Sequence, residues 1–213
     1  APETTFAPQP FAAIILAAGQ GTRMRSAKHK VLHPLAGKPM LGHLLDALAA
    51  LGPERTVVVV GAGREQVEAA VAARSVKVVT QSPQLGTGHA VLQAREELRD
   101  FAGDVVVLYG DVPNVRGETI AALLARLHAD DAPAVVVLGF RPKDAAAYGR
   151  ILADGGGTIA RMVEFKDATT VERAVDLCNS GLLAVRATEL WPLLERVGCE
   201  NAAGEYYLPD IVG

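Results

Sequence analysis

Phe11-Ala12-Ala13-Ile14-Ile15-Leu16-Ala17-Ala18-Gly19-Gln20-Gly21-Thr22-Arg23-Met24 is the stretch on which the fold turns. Residues 11–18 form an unbroken apolar run, too short for a helix of that character and typical of a strand buried on both faces. A glycine-rich turn at 19–23 follows at once. In open α/β sheets, ligands bind where strands end and strand order reverses. Small residues there let backbone amides approach a planar base or a phosphate. The spacing lacks the third glycine of a dinucleotide fingerprint and the Gly-Lys-Ser/Thr ending of a P-loop, which counts against both sites. By themselves the glycines fit an ordinary strand-to-loop turn equally well. Arg23, Lys28 and Lys30 follow closely, and that supply of planar guanidinium and mobile ammonium donors suits a triphosphate.

Outward from this turn the chain alternates. A basic, Pro-terminated loop is expected over 26–35, then a helix over 40–51 with apolar residues at helical spacing, stopped by Gly52-Pro53. Strands are expected over 56–61, 76–80, 104–109 and 134–140, with helices over 63–73, 86–98 and 118–129 between them. This is the pattern of a mostly parallel sheet with helices on both faces and right-handed crossovers. After Pro142 the pattern changes to short strands over 148–152, 158–164 and 178–185, separated by Gly and Asp turns around a polar stretch at 165–176. A helix over 188–197 follows. We read this part as a small antiparallel lobe on the edge of the main sheet. Residues 1–10 are expected to be a flexible extension and 11–213 one domain.

Composition supports this reading and narrows the function. Of the 213 residues, 50% are hydrophobic and only 5% aromatic, as aliphatic buried strands require. A net charge of −3, without a basic run, counts against nucleic acid as a partner. No apolar stretch approaches the twenty or so residues of a membrane span, and residues 1–10 carry no signal pattern, so a soluble, cytoplasmic protein with no membrane partner is expected. Cys178 and Cys199 form no paired ligand motif, which argues for two buried thiols in a reducing compartment.

The motifs resemble those of the sugar nucleotidyltransferases. Leu16-Ala17-Ala18-Gly19-Gln20-Gly21-Thr22-Arg23-Met24 and Lys30-Val31-Leu32 carry the likeness first. It sharpens toward the uridylyltransferase domain of the bacterial N-acetylglucosamine-1-phosphate uridylyltransferases with Gln84-Leu85-Gly86-Thr87-Gly88-His89-Ala90, Leu108-Tyr109-Gly110-Asp111-Val112-Pro113 and Tyr148-Gly149-Arg150-Ile151. It continues with Val163-Glu164-Phe165-Lys166-Asp167, Asn179-Ser180-Gly181 and Gly204-Glu205-Tyr206-Tyr207.

The resemblance implies a Rossmann-like nucleotidyltransferase fold. It implies that UTP and N-acetylglucosamine 1-phosphate give UDP-N-acetylglucosamine and pyrophosphate, with Mg2+ as cofactor. Carried over by position, Leu16, Ala17, Ala18, Gly19, Gly21, Gln81, Gly86 and Thr87 bind the nucleotide, and the Gln81 carboxamide, donor and acceptor at once, reads the base edge. Tyr109, Gly149, Glu164, Asn179 and Tyr207 hold the sugar, Asp111 holds the metal, and Arg23 and Lys30 offset charge in the reaction. Asp111 also stands just past a buried strand, in a Gly-Asp-x-Pro turn, a placement that suits a metal ligand independently. Members of the family continue past this point to an Asn that is a second metal ligand, and to a left-handed β-helix that carries an acetyltransferase and assembles homotrimers. A transferase for another sugar, or a binding module without turnover, remains open on the residues alone.

Overall fold

The computed structural model describes residues 9–18, 28–112 and 114–212. Gly19, Gly21 and Arg23, and most of the expected 1–10 extension, lie outside them. The elements run β1 (Phe11–Ala17), a 3₁₀ turn (Lys30–Leu32), the hairpin β2 (Pro34–Leu35) and β3 (Lys38–Pro39), α1 (Met40–Ala49), β4 (Arg55–Val60), α2 (Arg64–Val71) and β5 (Lys77–Thr80). Next come α3 (Thr87–Leu92), β6 (Asp104–Tyr109), α4 (Gly117–Arg126), β7 (Val135–Phe140), β8 (Arg150–Ala153), β9 (Ile159–Val163), α5 (Thr170–Arg173), β10 (Cys178–Arg186), α6 (Ala187–Leu194) and a closing 3₁₀ segment, Leu208–Val212.

β1 is apolar at every position because both of its faces are covered. Phe11, Ala13, Ile15 and Ala17 pack with Leu41, Leu44, Leu48, Val67, Ile120 and Leu123 of α1, α2 and α4. Ala12, Ile14 and Leu16 enter a second core with Val91 of α3, Leu190 and Leu194 of α6, and Leu208 and Ile211 of the last segment. Successive strand residues face opposite sides, so one strand feeds two layers. The sheet order is β5-β4-β1-β6-β10-β8-β9, with β7 paired to β10. β1 runs parallel to β4 and β6, and β4 parallel to β5. Sequence order therefore reverses across β1, and the carboxyl ends of β1 and β6 flank the switch point.

The later strands depart from the expected layout in one respect. β7 does not extend the parallel set. The nine-residue β10 lies beside β6, antiparallel, with Leu183 opposite Val107 and Ala184 opposite Val106. Leu182, Leu183, Ala184 and Val185 of β10 are buried, whereas every residue of β7 is only half-buried. Both strands carry apolar runs; β10, with its segment 182–185 buried, takes the inner place, and β7 lies outside it, antiparallel. The antiparallel lobe is thus continuous with the main sheet. The expected loop at 26–35 contains a 3₁₀ turn and a strand, and the expected helix at 86–98 is α3 followed by a 3₁₀ turn at Glu96–Leu98. The polar stretch at 165–176 holds α5, begun by a reciprocal cap between Thr169 and Glu172. Cys178 is buried as expected, but Cys199 is half-buried, beside the partly exposed Tyr206 at the surface near the chain's end. Among the described residues no helix is long and apolar enough to cross a membrane.

Candidate active site

A cleft of about 330 Å³ lies at the carboxyl ends of β1 and β6, where Leu16, Ala17, Ala18, Lys30, Gln81, Gly86, Thr87, Tyr109 and Asp111 come together. All nine were singled out in the sequence. Val31, Gln84, Ala90 and Glu205 also line it. Gln84 and Glu205 lay within recognised motifs, but nothing in residue type or spacing gave them a place in the wall.

Lys30 is set by its neighbours. Val31 and Leu32 are buried, so the 3₁₀ turn is pinned to the core beside it. A Cβ at Gly110 would sit 3.0 Å from Val31 Cγ1; the glycine admits the valine, and the adjoining residues Lys30, before Val31, and Asp111, after Gly110, meet. Lys30 Nζ donates to Asp111 Oδ2 at 2.6 Å, with the side chains 40% and 33% exposed. A pair this open to water contributes at most about 1 kcal/mol to stability. Its energetic weight in the fold is small, and it leaves an ammonium and a carboxylate together at the cleft. His29, which caps the turn through Nδ1, has its pKa lowered by burial.

Gln81 is 4% exposed. Its Nε2 donates to Gly86 O at 2.9 Å and stands 3.0 Å from His89 Nδ1. The sequence left both amide functions open to a ligand; the structure commits the nitrogen internally, leaving Oε1, which has no partner among the described residues. Gly86 has φ +109°, and a Cβ there would lie 2.6 Å from Tyr206 O. Tyr206 N donates to Leu85 O at 2.8 Å and Gly88 N to Tyr206 O at 2.7 Å, while Leu208 N donates to Thr87 Oγ1 at 2.8 Å. The 85–88 loop is therefore zipped to the chain's last segment. On its other flank, Gln84 Nε2 donates to Ala18 O at 2.6 Å.

Gly149, Glu164, Asn179 and Tyr207 gather in the antiparallel lobe rather than in the cleft lining. Asn179 N donates to Gly149 O at 3.0 Å, and a Cβ at Gly149 would lie 3.3 Å from Glu164 Oε1. Arg150, 3% exposed, holds this corner by donating to the carbonyls of Ala145, Ala146, Tyr148 and Arg173. Tyr109 joins cleft and lobe. Gly181 has φ +86°, and a Cβ there would overlap the Tyr109 ring. Asn179 Oδ1 accepts the Gly181 N–H at 2.8 Å and fixes that turn. Burial pushes the Tyr109 hydroxyl up to about 12, Glu164's charge adds to the rise, and the Thr87 hydroxyl pulls the other way. Glu164 is raised by burial and then by Asp210, Asp167 and Glu205. Asp210 is raised by burial and Asp167. Tyr207 is pushed up to about 12 by burial and the same carboxylates.

The donor set bears on a metal. Among the described residues no group of three His, Cys, Asp or Glu could hold an ion, so an all-protein cage is absent there. Asp111 offers one carboxylate, with Oδ1 unpartnered among the described residues. That fits a hard cation which takes one or two carboxylates and completes its shell with phosphate and water.

Residues 13–154 match the model of the MobA-like NTP transferase domain. The chain belongs to that family. This NTP transferase domain is 68% identical over 204 residues to the bifunctional protein GlmU of Rhizorhabdus wittichii, covering 96% of this chain and 45% of the relative. It is 62% identical over 206 residues to the bifunctional protein GlmU of Zymomonas mobilis, covering 96% of this chain and 46% of the relative. The chain thus spans somewhat less than half the length of the curated relatives it matches. Among solved structures, UDP-glucose pyrophosphorylase complexed with UDP-glucose superposes with a TM-score of 0.77 at 16% identity, over 95% of this chain and 85% of that one. HddC from Yersinia pseudotuberculosis complexed with GMP-PN gives 0.66 at 18%, over 93% and 83%. At those identities the likeness bears on the fold, which is the NTP transferase fold read from the sequence.

Proposed function

We propose that the chain transfers a uridylyl group from UTP to N-acetylglucosamine 1-phosphate, releasing pyrophosphate and supplying a cell-wall precursor in the cytoplasm. The observation that carries this reading is the cleft at the switch point, which is lined by the buried Gln81 and the small Ala17 and Ala18 together with the Lys30–Asp111 pair. The identity to GlmU along 96% of the chain supports it. In this reading Leu16, Ala17, Ala18, Gln81, Gly86 and Thr87, with Gly19 and Gly21, receive the nucleotide. Tyr109, Gly149, Glu164, Asn179 and Tyr207 receive the sugar.

A sugar phosphate oxygen attacks the α-phosphorus in line, and pyrophosphate leaves from the opposite side. The nucleophile is ionised at neutral pH, so no general base is required. The protein's task is alignment and charge neutralisation: unit charges about 4 Å apart repel by roughly 4 kcal/mol at an intermediate dielectric. Lys30 and Arg23 offset that repulsion and the charge that develops on the leaving group. Asp111 holds Mg2+, which when bound supplies Lewis-acid neutralisation of the phosphates. The longer protein to which such a domain belongs assembles as a homotrimer in this reading.

Pyrophosphate release, measured with magnesium, UTP and a panel of sugar 1-phosphates, tests the proposal. Preferred turnover of N-acetylglucosamine 1-phosphate is the expected result; equal or greater turnover of glucose 1-phosphate would reassign the sugar, and no release with any of them would remove the activity from this chain.

A further inference from the structure

We propose that His89 is a specificity-determining positioning residue: its Nδ1 holds the Gln81 amide nitrogen away from the cleft, so that the base meets an acceptor. The inference rests on the cleft being the base pocket and goes on to name what selects the base within it. His89 lies in the Gln84–Ala90 motif, which the proposed reaction otherwise uses only through Gly86 and Thr87.

Hydrogen-bond polarity along a short chain of groups carries the argument. Gly86 O is a fixed acceptor, because it also receives Ala90 N at 3.0 Å and its residue is pressed against the Tyr206 backbone. At 2.9 Å from that oxygen Gln81 must place its NH2, since an amide oxygen there would face another acceptor in a buried site. The second amide hydrogen points to His89 Nδ1 at 3.0 Å, which must accept it. A neutral imidazole has one donor and one acceptor, so acceptance at Nδ1 leaves the ring proton on Nε2; Gln93 Nε2, which donates to His89 O at 3.0 Å, stands 3.4 Å from that nitrogen, a longer contact than the 3.0 Å one at Nδ1. Oε1 is left as the amide's free function. Gln81 lines the cleft, and Oε1, which has no partner among the described residues, is the amide function left for a base there.

Uracil carries an N–H at N3, whereas cytosine carries a lone pair at that position. An amide locked with its oxygen outward accepts from uracil and repels cytosine. Released from His89, the amide keeps only the Gly86 bond to fix its sense, so turning its nitrogen outward, toward a cytosine acceptor, costs one bond fewer. Sites built around a fixed polar partner discriminate strongly for this reason, since the wrong ligand leaves a buried group unpaired.

The dissociation constants of UTP and CTP, measured by calorimetry on wild type, His89→Leu and His89→Asn, test this. Asn places an amide oxygen where the His acceptor stands. The expected result is a preference for UTP in wild type, a fall of about tenfold in that preference in His89→Leu, and its retention in His89→Asn. Long-range proton–nitrogen spectra of wild type should show the Nε2–H tautomer, a readout that does not depend on either variant folding. An unchanged UTP to CTP ratio in a folded His89→Leu, or a wild-type ring protonated on Nδ1, would overturn the role of His89. Failure of wild type to bind either nucleotide would instead overturn the reading of the cleft as a base pocket.

Discussion

Around Gln81 the polar groups satisfy one another: Nε2 is held by Gly86 O and His89, Gln84 is tied to Ala18 O, and Leu208 N to Thr87. Around Glu164 they oppose one another, with Asp167, Glu205 and Asp210 near enough to push its pKa up. The first region sits at the carboxyl ends of the parallel strands β1 and β5, and hydrogen bonds tie its turns to one another. The second sits on short antiparallel strands and concentrates like charges that make folding less favourable. The contrast teaches where rigidity and strain are placed. In the proposed function the first region is the base side, preorganised so that the ordering cost of binding is limited, and the second is the sugar side, where a ligand's hydroxyls would donate to the crowded carboxylates.

Lys30→Ala, in the cleft beside Asp111, should have the largest effect. Turnover is expected to fall by about a hundredfold or more, the scale of losing one preorganised electrostatic donor. A steady-state loss of only a few-fold would make Lys30 an ordinary surface lysine.

Two glycine variants sharpen the comparison next. Gly86→Ala meets the Tyr206 backbone, which cannot yield, and Gly181→Ala meets the ring of Tyr109, which can turn. Both positions also have positive φ, a strain of about 1–3 kcal/mol for a residue with a Cβ. Gly86→Ala should weaken UTP binding at least tenfold, whereas Gly181→Ala should leave UTP binding within about threefold and raise the KM for the sugar phosphate. Equal effects of both variants on UTP binding would erase the distinction between a rigid and a yielding half.

The smallest effect is one of sign. Burial and neighbouring carboxylates raise the Glu164 pKa in the folded state. The folded protein therefore holds that proton more tightly than the unfolded chain. The stability this contributes is present below the ordinary carboxylate value and is lost as pH rises through the raised one. Glu164→Gln should accordingly melt above wild type at pH 7 and lose that advantage below about pH 4, while binding the sugar phosphate less well. A variant less stable than wild type at pH 7 would show that Glu164 is a net stabilising partner.

Much of this was legible before the structure. DVVVLY at 104–109 is a strand over the same residues, because a short, β-branched apolar run buried on both faces has few alternatives. The motifs of the cleft converge because each ends a strand or begins a helix on one edge of the sheet. The place of β10 beside β6 was not legible. Strand pairing across seventy or so residues is a long-range competition between two apolar runs, β7 and β10, and the composition of neither segment states which takes the inner slot. Lys30 could be named from its motif, but its direction could not, since that depends on Val31 packing over Gly110. Gln84 and Glu205 were likewise invisible as cleft residues, because a polar side chain in a loop carries no mark of the wall it will join.

The account rests on the cleft at the carboxyl ends of β1 and β6 being the seat of the base. A crystal structure of this chain with UTP tests that most directly. The expected density places the uracil against Ala17 and Ala18 with its N3 facing Gln81 Oε1, and the phosphates toward Lys30 and Asp111; a base bound away from Gln81, with the cleft still open, would contradict it.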